Sequence, residues 1–133
     1  MNKWIAYGLS NAALGLAIGI SVAVTAIGEG YSVMAIAAPA AAFLTGGICW
    51  SLLMRGDSGT GRSVITGLLT GTVAHYIAFL FLLMPGLWGE EALTIGDLLT
   101  GSLGLTFFSV MFFGWITVPF SIFTAKLLSR KKS

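Results

Sequence analysis

A single histidine inside an uncharged stretch is the strongest candidate for chemistry in this chain. His75 follows Gly67 and Gly71 at helical spacings of i+8 and i+4, so all three share one helix face. An imidazole can transfer protons near neutral pH, bind a metal or form hydrogen bonds while neutral. Burial without a charged partner favours the neutral form. The spacing therefore predicts a neutral imidazole that faces the most closely packed side of its helix.

Four roles are open to His75 on the sequence alone. The first, which we expect, is a structural hydrogen bond to a serine, threonine or carbonyl of a neighbouring helix. The others are a proton relay or ion path, a contact with a lipid or quinone headgroup, and haem ligation. A haem would need a second axial ligand, from Met111 or from His75 of a second copy. Nothing in the sequence favours either ligand, and we expect no cofactor.

Hydroxyl side chains recur on one face of the last apolar stretch. They are Ser102, Thr106, Ser109, Thr117 and Ser121. We expect them to form hydrogen bonds between helices, each worth about 0.6 kcal/mol in measured membrane bundles; a lining for water or a polar solute is the alternative. The predicted polar site within the bundle consists of His75, Asn11, Thr106 and Ser109.

The sequence argues against an enzyme. Nucleophilic catalysis needs an activated nucleophile beside a base and an oxyanion site, and no carboxylate lies near the depth of His75. Cys49 is the only cysteine, which excludes an intrachain disulfide and a multi-cysteine metal site. The glycine-rich segment 55–62 lacks the Gly-Lys-Ser/Thr ending of a phosphate-binding loop, so we interpret it as a linker. We predict no catalytic residue and no metal ligand.

Four apolar stretches must position these side chains. They cover approximately 4–27, 31–54, 63–84 and 98–125, in a chain of 133 residues that is 56% hydrophobic and 9% charged. About 20 helical residues cross a hydrocarbon layer of roughly 30 Å. We predict an all-α membrane protein, a four-helix up-down transmembrane bundle, as a single membrane domain over residues 1–133. The first stretch resembles a signal peptide, but it exceeds the usual core of about 7–15 residues, so we expect its retention.

Positive charges are segregated along the chain. All seven lysines and arginines lie at the N-terminus, the second connection or the C-terminus: Lys3, Arg55, Arg62, Lys126, Arg130, Lys131 and Lys132. The first and third connections carry only Glu29, Glu90, Glu91 and Asp97. Because Lys and Arg stay on the cytoplasmic side during insertion, we predict a multi-pass protein of the cell (inner) membrane with both termini cytoplasmic. Topology accounts for the basic residues, so we expect no nucleic-acid partner.

Small residues predict where the helices approach one another. Gly15 and Gly19 in the first stretch, and Gly67 and Gly71 in the third, have the i+4 spacing that permits close helix packing in lipid.

Local sequence patterns predict where two of the helices begin or end. The segment 84–86 (Met-Pro-Gly) predicts the end of the third helix, and Thr94 with Asp97 has the pattern of a capping box.

Two classes of function remain. The first, which we favour, is a non-catalytic interaction subunit of a membrane complex or homo-oligomer. Its partners would be the lipid bilayer and other membrane subunits or copies of itself. The alternative is an oligomeric channel, a small-solute transporter or a holin-like protein that permeabilises the membrane. A holin-like protein should collapse the membrane potential when it is overexpressed, whereas a subunit should not.

Overall fold

Helices account for nearly all of the backbone that the structure describes. The computed structural model describes residues 1–26, 30–56 and 59–130, and no strand occurs among them. The helices are α1 (Lys3–Thr25), α2 (Met34–Leu53), α3 (Thr60–Leu83) and α4 (Ile95–Arg130). A 3₁₀ turn, Tyr31–Val33, leads into α2, and a second, Met84–Trp88, follows α3. All four helices are long and apolar enough to cross a membrane, which confirms the predicted all-α architecture of four apolar helices.

Some predicted features lie outside the described residues. They are the turn at Gly28 and Glu29, the centre of the linker at Asp57 and Ser58, and the terminal Lys131 and Lys132.

Residues close in sequence determine where α3 ends and where α4 begins. Proline has no backbone N–H to donate, and α3 ends at Leu83, two residues before Pro85. At the start of α4, the Asp97 amide donates to the Thr94 hydroxyl over 3.1 Å, and the Thr94 amide donates to the Asp97 carboxylate over 3.2 Å. These reciprocal bonds form the predicted capping box.

Consecutive helices pack against each other in antiparallel order. Near one end of the bundle, Tyr7 of α1, Trp50 of α2 and Ala125 of α4 form one buried cluster. Near the other end, Met34 of α2 and Phe79 of α3 belong to a second cluster. The start of α1 therefore meets the ends of α2 and α4, as an up-down bundle requires.

Four glycines lie where helix backbones come closest. A Cβ added at Gly15 would lie 2.9 Å from the carbonyl oxygen of Ala38, and one at Gly19 would collide with the carbonyl of Met34. These are α1–α2 contacts. Between α3 and α4, a Cβ at Gly71 would lie 2.8 Å from the Cα of Val118. A Cβ added at Gly67 would collide with the backbone of Ile122.

The seam between α1 and α4 is the loosest part of the bundle. The pairs α1–α2, α2–α3 and α3–α4 are all in extensive contact, whereas α1 and α4 touch over a short length. That contact is made near the start of α1, where the Tyr7 hydroxyl reaches the backbone of Ser121. Toward the end of α1, residues of the two helices border a cavity.

Candidate functional site

His75 is fixed between α3 and α4 by hydrogen bonds at both ring nitrogens. Its Nδ1 lies 2.7 Å from the hydroxyl of Ser109, and its Nε2 lies 3.1 Å from the hydroxyl of Thr117. The side chain is 9% exposed. His75 therefore faces the interior of the bundle, with a polar partner for each nitrogen.

Donor and acceptor roles in this network follow from Thr117. Its hydroxyl donates its one hydrogen to the carbonyl of Gly71 over 3.1 Å, so toward His75 it acts as an acceptor. The imidazole then carries its hydrogen on Nε2, which leaves Nδ1 to accept from Ser109. All the hydrogen bonds are satisfied with a neutral ring, and no charge has to be buried.

Close packing of α3 on α4 makes this geometry possible. The backbone of Gly71 lies against Val118, which brings the Gly71 carbonyl within reach of the Thr117 hydroxyl. Ser109 and Thr117 are eight residues apart, about 12 Å along a helix, and their side chains converge on one imidazole. His75 thus holds two points of α4, about two turns apart, against α3.

A second polar network joins α1 to α4. The Tyr7 hydroxyl donates to the carbonyl of Ser121 over 3.2 Å, and the Ser121 hydroxyl donates to Oδ1 of Asn11 over 2.5 Å. The Asn11 amide donates to the carbonyl of Tyr7 over 2.9 Å. We call these three residues the α1–α4 clamp. Tyr7 is 0% exposed, so the clamp holds a fully buried phenol in place.

The predicted polar site divides between these networks, and one member belongs to neither. Ser109 contacts His75, whereas Asn11 lies in the clamp. Thr106 takes part in neither network, because its hydroxyl donates over 2.6 Å to the carbonyl of Ser102 in its own helix. Such a bond to residue i−4 is a common alternative for Ser and Thr in membrane helices.

Three residues of the networks were not among the predicted site residues. Thr117 and Ser121 belong to the recognised hydroxyl face of α4, but helical spacing alone does not show which hydroxyls meet a partner. Tyr7 precedes Asn11 by four residues, so the two share a helix face. A tyrosine in an apolar stretch usually has a hydrogen-bond partner for its hydroxyl, and that signal could have identified it.

Ligation of haem by His75 and Met111 of one copy does not fit the structure. Met111 is 64% exposed on the outer surface of α4, and both ring nitrogens of His75 already have partners. Among the described residues, no group of three or more His, Cys, Asp or Glu side chains is placed to hold a metal ion.

A cavity of about 200 Å³ lies between the helices beside both networks. Leu14, Ile18 and Val22 of α1 form one wall, and Phe108 and Phe112 of α4 form the opposite wall. Polar residues of the networks border it, but their polar atoms bond to one another, so the surface facing the cavity is almost wholly apolar. The cavity lies along the α1–α4 seam; we call it the α1–α4 cleft.

Three buried hydroxyls have no hydrogen-bond partner within the described part of the chain. They belong to Thr66, Thr70 and Ser102. Thr70 borders the α1–α4 cleft between the two networks. The inner faces of α3 and α4 thus carry three buried hydroxyls that take part in neither network.

Comparison with known protein families, with characterised proteins and with solved structures finds no match to this chain.

Proposed function

We propose that this protein is a multi-pass subunit of the cell membrane, with both termini in the cytoplasm, that acts by packing against other membrane helices. Its partners are helices of a larger complex or further copies of the chain. The charge distribution supports the orientation, because Lys3, Arg62 and Arg130 all belong to one end of the bundle. The acidic Glu90 and Asp97 belong to the other end.

The observation that carries this proposal is the exposed face of α4. This helix has 36 residues, about 54 Å at 1.5 Å per residue, against roughly 30 Å of hydrocarbon. Only seven of those 36 residues are buried. Large apolar side chains at i+4 spacing form one exposed row, which we call the α4 ridge: Leu103, Phe107, Met111 and Trp115. A continuous row of this kind can interlock with a groove on a neighbouring helix.

The two polar networks support a non-catalytic role. Catalysis would require His75 to offer a nitrogen to a substrate, but its ring nitrogens bond to Ser109 and Thr117. The clamp residues likewise bond to one another across α1 and α4. These side chains hold helices together, which suits a scaffold that presents an outer surface.

The alternative remains a channel, transporter or holin-like assembly. Its support is the row of hydroxyls on α4 and the unpartnered hydroxyls of Thr66, Thr70 and Ser102. Because the networks occupy the interior of one copy, a polar passage would have to form between copies. This alternative therefore also requires an oligomer, but one that conducts.

Extraction in a mild detergent followed by native mass measurement tests the proposal. We expect the protein to migrate with a larger complex or as a homo-oligomer. Recovery as a monomer from gently solubilised membranes would contradict it. A homo-oligomer that dissipates the membrane potential of reconstituted vesicles would instead support the conducting alternative.

Cysteine crosslinking locates the contact surface. In a Cys49→Ser background, Phe107→Cys places a thiol on the α4 ridge, and Ile36→Cys places a matched thiol on the outer face of α2. Phe107 and Ile36 are 66% and 75% exposed. If the partner is another copy, we expect oxidation to join two Phe107→Cys chains by a disulfide, with little crosslinking of Ile36→Cys. For a different partner protein, a thiol-reactive photocrosslinker attached to each cysteine supplies the second bond. Equal crosslinking at both positions would indicate random collisions and remove the α4 ridge as the interface.

A further inference from the structure

We propose that the α1–α4 cleft binds one acyl chain of a membrane lipid, which enters between α1 and α4 and ends at the clamp. This goes beyond the proposed interaction role: it rests on the proposed membrane insertion and is independent of any protein partner.

The shape of the cleft suits a long, thin occupant. Its wall on α1 runs from Asn11 to Val22, a distance of about 16 Å along the helix. At the Asn11 end, the hydrogen bonds from Tyr7 and Ser121 close the seam. At the other end, Tyr31 forms part of the border. We infer that the cleft is a groove closed at the clamp and open between α1 and α4, because these two helices are in contact over only a short length.

The chemistry of the walls selects an apolar occupant over water. Leu14, Ile18 and Phe112 offer no hydrogen bond, and nearby polar side chains direct their polar atoms at one another. A buried water needs two to four polar partners, and an apolar cavity of roughly 150 Å³ in another protein stays dry yet binds benzene. Among the described residues, Thr70 carries the one fully buried hydroxyl on the border that has no partner, and a single hydroxyl does not meet that requirement.

The surroundings of the cleft favour an acyl chain over a protein helix. A helix is about 10 Å wide with its side chains, whereas the cavity of about 200 Å³ is bordered by residues of all four helices of one copy. An acyl chain is a single file of methylenes and follows a narrow groove without displacing its walls. In a bilayer such chains surround the helices and are as apolar as leucine side chains. The open side of the cleft would face them directly.

Photocrosslinking tests the assignment. The full-length protein is reconstituted into phosphatidylcholine vesicles in which a small fraction of the lipid carries a diazirine on its acyl chain. After illumination, labelled residues are mapped by mass spectrometry. We expect several-fold more label on Leu14 and Ile18, which line the cleft, than on Thr66, which is fully buried outside it. Leu16 and Ile20, exposed on the opposite side of α1, contact the surrounding lipid and serve as positive controls.

Matched variants isolate the cleft. Ile18→Trp fills it, and Ile20→Trp makes the same change outside it. We expect Ile18→Trp to reduce label on Leu14 and Phe113, which both border the cleft and are partly buried, several-fold, and Ile20→Trp to leave it unchanged. If Ile18→Trp does not fold, Ala74→Leu narrows the same cleft from α3.

Each other result overturns the inference. Label on Leu14 and Ile18 no higher than on the buried Thr66 would mean that the cleft holds no lipid. Unchanged cleft labelling in a folded Ile18→Trp variant would exclude an acyl chain there. Absence of label along the whole chain would contradict membrane insertion itself, and so would separate failure of the proposed function from failure of this inference.

Discussion

The Nδ1 atom of His75 on α3 lies 2.7 Å from the hydroxyl of Ser109 on α4. In membrane helices such a contact contributes about 0.6 kcal/mol on average and up to about 1.7 kcal/mol. With the bond from Nε2 to Thr117, the imidazole forms two contacts of this kind. His75 should therefore contribute measurably to the stability of the α3–α4 pair.

The first prediction concerns replacement of this imidazole. His75→Leu removes both contacts and should lower the free energy of unfolding by roughly 1–3 kcal/mol. His75→Gln should lower it less, because an amide both donates and accepts. Denaturant unfolding in detergent measures the difference. A double-mutant cycle with Ser109→Ala should give a coupling of about 0.6–1.7 kcal/mol.

The same substitution separates structure from proton transfer. An amide does not titrate near neutral pH, so a proton relay would fail in a His75→Gln protein that folds normally. We expect instead that the His75→Gln variant folds and still assembles with its partner helices. A well-folded His75→Gln variant that loses membrane activity would overturn the structural role.

The second prediction compares two glycines with opposite surroundings. A Cβ at Gly67 would collide with the backbone of Ile122, whereas one at Gly104 meets no atom within 4 Å. Gly67→Ala should destabilise the protein by roughly 1–3 kcal/mol through overpacking. Gly104→Ala should stabilise it by up to about 1 kcal/mol, since alanine favours the helix. Thermal unfolding of both variants provides the test, and shifts of the same sign would contradict the proposed contact.

Much of the fold follows from sequence, and the reason differs between elements. The start of α4 can be predicted because Thr94 and Asp97 form its cap within four residues of the chain. The signal for this helix start is therefore local. The third helix ends where Pro85 removes a donor. By contrast, the contact of Thr117 with His75 depends on the register between α3 and α4. Backbone contacts at Gly67 and Gly71 fix that register, and a single helix does not encode it.

Thr106 shows why the hydrogen-bond partners within the site could not all be predicted from the sequence. It shares the hydroxyl face with Ser109, so helical spacing treats the two alike. Its hydroxyl nevertheless bonds to the Ser102 carbonyl in its own helix. The free-energy difference between such a local bond and one across helices is small, and packing decides it. The clamp was missed for a related reason: Tyr7 and Ser121 are 114 residues apart.

The third prediction tests the clamp. Tyr7→Phe removes the hydroxyl that donates to the Ser121 carbonyl. Loss of that bond should lower the free energy of unfolding by about 0.6–1.7 kcal/mol. It should also widen the α1–α4 seam, measured as the distance between spin labels on the two helices. Tyr76→Phe makes the same chemical change on α3, and it should leave both quantities unchanged. Equal effects of the two variants would show that the buried hydroxyl does not hold the seam.

The fourth prediction concerns orientation. Both ends of the chain belong to the end of the bundle that carries Lys3, Arg62 and Arg130, and the acidic connection between α3 and α4 belongs to the other. Because positive charges remain in the cytoplasm, a reporter fused after Ser133 should be active only in its cytoplasmic form. A reporter inserted between Gly89 and Glu90 should be active only in its exported form. The second fusion is the internal control. The two fusion sites lie on opposite sides of the membrane in the predicted topology, so a chain that fails to cross the membrane would give the same result at both sites. If both patterns are reversed, the termini face outward, and the charged ends of the helices do not direct insertion.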